Sequence, residues 1–99
     1  MAQYRFSEQA EKDLQCIIDF TLNKWGAKQS NVYLNGLEEL AQNLADFPGL
    51  GTNMTGLIEG LISFPYLSHV LYYTQQPHGI TIVRVLHKRM KPKRHLPEL

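Results

Sequence analysis

Cysteine is almost missing from this sequence: Cys16 is its only one in 99 residues, so no internal disulfide can form. No run of about 18 apolar residues occurs, which excludes a membrane-spanning helix. The opening Met1-Ala2-Gln3-Tyr4-Arg5-Phe6 has no basic segment leading into an apolar one, so it does not read as a secretory signal. Together these absences point to a soluble protein of the reducing cytoplasm. Zinc requires about four ligands at close spacing, and four scattered histidines with one cysteine do not supply them. Cys16 reads instead as a small packed apolar group. Residues 48–60 hold four glycines, yet no strand precedes them and no Lys-Ser or Lys-Thr follows. That segment is a turn-rich connector and not a phosphate loop. Repeats and low-complexity stretches are also lacking.

A hydrophobic content of 43% is enough for one modest core, so residues 1–99 read as a single domain. Gln3-Tyr4-Arg5-Phe6 alternates polar and aromatic residues, the pattern of a short strand. Ser7 stands at a helix N-cap with Glu8 and Glu11 in the first turn. Ala10, Leu14, Ile17, Ile18, Thr21 and Trp25 then recur at helical spacing on one side, and Gly26 ends the helix. A second helix carries the seam Tyr33, Leu37, Leu40, Leu44 and Phe47 and stops at Pro48-Gly49. The short link predicts an antiparallel helical hairpin. Gly36 in its middle costs roughly 1 kcal/mol relative to Ala, which a close approach to another backbone would explain.

Three strands follow: Leu61–Phe64, broken by Pro65; His69–Thr74; and Ile80–His87, reached through the turn Gln75–Gly79. Short connections make these an antiparallel meander. The fold class is therefore α+β, in the order β-α-α-β-β-β, with a small antiparallel sheet packed against an N-terminal helical hairpin.

The net charge of +1 hides an asymmetry. Residues 1–46 carry four basic and seven acidic side chains, a balance of −3. Residues 47–99 carry six basic and two acidic, a balance of +4. All six of those cations lie between positions 84 and 94, where an apolar strand turns into a basic tail. Arg84, His87, Lys88, Arg89, Arg94 and His95 are accordingly the candidate binding residues, delivered to the surface by a rigid strand. Arg84 interrupts an apolar strand, so pairing with an internal carboxylate is an equally good reading of it.

From end to end the sequence resembles the ParE branch of the RelE/ParE toxin superfamily. The resemblance rests on Tyr4-Arg5-Phe6-Ser7-Glu8-Gln9-Ala10-Glu11-Lys12-Asp13-Leu14, Trp25-Gly26, Pro48-Gly49-Leu50-Gly51, Ser68-His69-Val70-Leu71-Tyr72-Tyr73 and Ile82-Val83-Arg84-Val85-Leu86-His87-Lys88-Arg89-Met90, closed by Arg94-His95-Leu96. It implies the toxin half of a type II toxin–antitoxin module, acting on DNA gyrase by protein–protein contact without a cofactor. It also implies neutralisation by a cognate ParD-like antitoxin that folds on binding. No recognition-helix pattern is present, so direct sequence-specific DNA binding is not expected of this chain.

RelE-like relatives cut messenger RNA on the ribosome, which is the alternative. Metal-free RNA cleavage needs a base, an acid and cations around the phosphate. His69, His87 and His95 are the candidate proton carriers, with Arg84, Lys88, Arg89 and Arg94 as the cations. Against it, the chain end His95-Leu96-Pro97-Glu98-Leu99 lacks the terminal acid–base group such relatives carry. His69 and His87 also stand at strand ends, where a backbone hydrogen bond explains them. No catalytic residue is therefore assigned.

Overall fold

Ser7 does two jobs where the first strand ends. The computed structural model describes residues 2–96, in which β1 (Gln3–Phe6) leads into α1 (Glu8–Trp25). The Ser7 hydroxyl caps α1 by accepting from the Ala10 amide at 3.0 Å, as its position in the sequence predicts. Gly26, at a φ of 91°, is the single residue between α1 and α2 (Ala27–Asp46). One turn of 3₁₀ helix, Pro48–Leu50, ends the hairpin. Then come β2 (Thr52–Asn53), β3 (Leu61–Tyr66), β4 (His69–Gln76), β5 (Gly79–His87) and a short α3 (Pro92–His95).

The sheet runs β1-β5-β4-β3-β2. β3, β4 and β5 form the expected antiparallel meander, and β1 joins its edge in parallel beside β5. The sheet is thus mixed at that one edge. Gly79 makes the edge possible: at a φ of 142° it lies so close to Gln3 that any side chain would strike the Gln3 backbone. Pro65 does not break β3, which continues to Tyr66 opposite His69. β2 reaches only as far as Ser63, so beyond it β3 is an edge strand, where proline's missing donor costs no ladder bond.

The register slips at one point. Tyr72 faces Arg84 while Tyr73 faces Ile82, which leaves Val83 as the extra residue of a β-bulge. β1 has already ended there, so β5 would present unpaired backbone groups. α1 satisfies them: the Ser7 amide donates to the Ile82 carbonyl at 2.9 Å, and the Ser7 hydroxyl donates to Val83 at 2.9 Å. The Val85 amide in turn donates to Asp13 at 3.0 Å.

Both faces of the sheet are covered. On the helical face, Ala10, Tyr33, Leu37, Ala41, Leu44 and Ala45 pack on Leu71, Tyr73, Ile80, Ile82 and Val85. On the other face, Leu61, Tyr72, Leu86 and Leu96 form a second cluster, flanked by Met54, Leu57 and Ile58 from the glycine-rich connector. Both tyrosines of the Tyr72-Tyr73 pair are therefore buried, one on each face.

Three sequence expectations fail in the same direction. Phe47 lies outside the α2 seam and is 66% exposed, its place taken by Ala41 and Ala45. Trp25 is 64% exposed, and Cys16 is exposed as well. Of the 18 residues of α1 only Ala10 is fully buried, because most of the core is built by α2 and the sheet.

Candidate functional site

The uncovered side of α1 forms one wall of an open groove of about 880 Å³. Cys16, Ile17, Phe20, Lys24 and Trp25 supply that wall, and Gln29 and Tyr33 of α2 close one end. His69 and His87 lie on neighbouring strands at its base, and Leu67, Ser68 and Met90 form the opposite lip. The Lys24 ammonium sits over the rings of Phe20 and Trp25, at 5.5 and 5.3 Å from their centroids. Leu67 occupies the two-residue β3–β4 turn at a φ of 54°, in a region that disfavours a bulky side chain, and it is 69% exposed. Exposed Phe20, Trp25, Leu67 and Met90 around one concave surface make an apolar patch of the kind that a partner covers.

The floor of the groove is polar and internally satisfied. The Tyr33 hydroxyl lies 3.2 Å from Nδ1 of His69, and the His69 and His87 rings meet edge to face at 5.5 Å. The Arg89 amide donates to Nδ1 of His87 at 3.1 Å. Burial first, and the neighbouring His87 second, lower the pKa of His69, so its neutral form is favoured. Burial likewise raises the pKa of Tyr33, with Tyr66 adding to the effect. Tyr66 donates its hydroxyl to the Tyr33 carbonyl at 2.8 Å, and its ring passes directly over Gly36. The close approach that explains Gly36 is thus to a side chain and not to another backbone.

The basic residues named from the sequence do not form one patch. His87 points to the helical side and belongs to the groove. Lys88 and Arg89 are exposed in the turn after β5, where the Lys88 amide donates to the Ser68 carbonyl at 2.9 Å. Arg94 and His95 are exposed on α3, on the far side of the sheet, where Leu96 is 1% exposed in the second cluster.

Arg84 lies between them and is engaged internally. Its Nε and one terminal nitrogen donate to the two oxygens of Asp13 at 2.7 and 3.0 Å, and its other terminal nitrogen donates to the His95 carbonyl at 2.6 Å. The internal pairing that the sequence left open is the one the geometry shows. Among the described residues no three His, Cys, Asp or Glu side chains converge as a metal ion would need. No helix there is long and apolar enough to cross a membrane.

Sequence reasoning missed Phe20, Leu67 and Met90, and placed Trp25 in the core. One signal was available. α1 carries apolar residues at Phe20 and Leu22 outside the stripe that faces the sheet, more than a one-sided helix can bury.

Residues 4–92 match the family model described as the ParE toxin of the type II toxin–antitoxin system parDE. The chain is 32% identical over 96 residues to Toxin ParE1 of Caulobacter vibrioides, covering 97% of this chain and 99% of that protein. Against Toxin ParE1 of Mycobacterium tuberculosis the identity is 33%, covering 96% and 98%. Against Toxin ParE of Escherichia coli it is 31%, covering 91% and 88%. The fold matches a chain of the solved structure "Chromosomal ParDE TA system from P. aeruginosa" with a TM-score of 0.72 at 16% identity, covering 88% of this chain and 96% of that one. With relatives above 30% identity aligned along nearly its whole length, this chain belongs to the ParE toxin family of type II toxin–antitoxin systems, and an antitoxin is its natural partner.

Proposed function

We propose that this chain inhibits DNA gyrase, and through it replication and growth, by binding and without chemistry of its own. The observation that carries this reading is the end-to-end likeness to ParE toxins. The surface suits it: the turn after β5 presents Lys88 and Arg89, and α3 presents Arg94, as exposed cations. Planar guanidinium groups clamp carboxylates and phosphates in a bidentate way, which favours Arg89 and Arg94 as the principal target contacts. His95 accompanies Arg94 on α3, and His87 contributes from the base of the groove.

The antitoxin occupies the apolar groove along α1. A segment that folds on binding would lay apolar side chains against Phe20, Trp25, Leu67 and Met90, and acidic ones toward Lys24 and Lys88. A segment that forms a stable complex buries roughly 1,200–2,000 Å² in total against its partner. Its acidic groups would speed association with the positively charged end.

The deciding experiment titrates purified protein into a gyrase supercoiling reaction beside cell-free translation. Loss of supercoiling with translation intact is the expected result. Stalled translation and cut message with supercoiling untouched would replace this reading with the ribonuclease one, and would make His87 or His95 indispensable.

A further inference from the structure

Arg84 has three nitrogen donors, and each is aimed at a particular acceptor. Two go to the carboxylate of Asp13 on α1, and the third to the carbonyl of His95, the last residue of α3. Asp13 is itself held, because one of its oxygens also accepts from the Val85 amide, two residues past the bulge. Both side chains are nearly enclosed, at 15% and 13% exposure. α3 is a single helical turn of four residues, too short to hold its direction on its own. At its ends the Arg94 amide donates to the Lys91 carbonyl and the Leu96 amide to the Pro92 carbonyl. Among the described residues two anchors bind it to the rest of the molecule: Leu96, buried among Tyr72 and Leu86, and the bond from Arg84. Leu96 fixes its depth, and Arg84 fixes its rotation about that point.

We propose that Arg84 is a positioning residue: clamped by Asp13, it holds the His95 carbonyl and so sets the direction in which Arg94 faces the target. The inference rests on the reading that this basic arm touches gyrase. It assigns a role to the one cation of the cluster that is not free to touch anything outside the chain. It also explains why an arginine interrupts an otherwise apolar strand. Lysine has the charge, but it lacks the planar fork needed to reach Asp13 and His95 together.

The test compares Arg84→Lys and Arg84→Met with the parent protein. The lysine variant keeps a partner for Asp13, so the fold survives even if the methionine variant is lost. Backbone order parameters of residues 92–96 should drop from core values of about 0.85 to below about 0.6, with β4 unchanged. The concentration that half-inhibits supercoiling should rise about tenfold, while antitoxin affinity stays within about twofold. Combining Arg84→Lys with Arg94→Ala should cost no more than Arg94→Ala alone, because both act through one arm. An ordered arm in both variants would overturn the proposal, as would losses that multiply in the double variant or a parallel fall in antitoxin affinity. If Arg94→Ala leaves supercoiling inhibition intact, the arm is not the gyrase contact. The order parameters alone then judge whether Arg84 positions it.

Discussion

Gly36 occupies the middle of α2, where exchange for alanine ordinarily gains about 1 kcal/mol. Here a Cβ would overlap the Tyr66 hydroxyl. That hydroxyl cannot swing aside freely, since it donates to the Tyr33 carbonyl and its ring packs on Tyr33 with centroids 5.1 Å apart. Gly36→Ala should therefore destabilise the protein by about 1–2 kcal/mol through overpacking. Tyr66→Phe removes the obstructing atom at a cost of about 1 kcal/mol for the lost hydrogen bond. In that background Gly36→Ala should become neutral or stabilising by urea denaturation. Equal penalties in both backgrounds would mean the two residues are not in conflict.

At the scale of elements, α1 and the β3–β4 turn share one property: both hold apolar side chains in water on either side of the groove. Exposed residues contribute little to folding, so Trp25→Ala and Phe20→Ala should change stability by no more than about 0.5 kcal/mol. Either should weaken antitoxin binding by about 2 kcal/mol or more if the groove is the docking surface, as read by titration calorimetry. Leu67 goes further, because its left-handed backbone costs about 1 kcal/mol. Leu67→Gly should stabilise the free protein by about that amount and weaken the complex. A gain in stability without any loss of affinity would remove Leu67 from the interface. The pattern is that of a surface shaped for a partner at the expense of the isolated chain.

At the scale of the whole molecule, His69 links the groove to pH. It touches Tyr33 from α2 and His87 from β5, and burial lowers its pKa below the usual value of about 6.5. The unfolded chain then binds more protons than the folded one as the pH falls through that value. Stability is complete above about pH 6.5 and erodes below it. The urea midpoint should thus be lower at pH about 5.5 than at about 7.5, and His69→Gln should flatten the difference. A slope unchanged by that substitution would place the titrating group elsewhere.

The chain alone determined much of this: the order of elements, the Ser7 cap, the Gly26 break, the apolar β5 strand and the ParE resemblance. Each is written in local propensity, short-range periodicity or a run of neighbouring residues. Tertiary structure decided where those faces end up. Periodicity marks Trp25 as apolar, yet only the placement of α2 over the sheet leaves it in water. Charge marks Arg84, His87 and Arg94 as one cluster. Strand alternation then turns His87 toward the helices, the 88–91 turn carries Arg94 to the opposite face, and Asp13, 71 residues away in sequence, claims Arg84 between them. Contacts at that separation depend on the bulge at Val83 and on where β1 stops, and neither has a signature in composition or spacing.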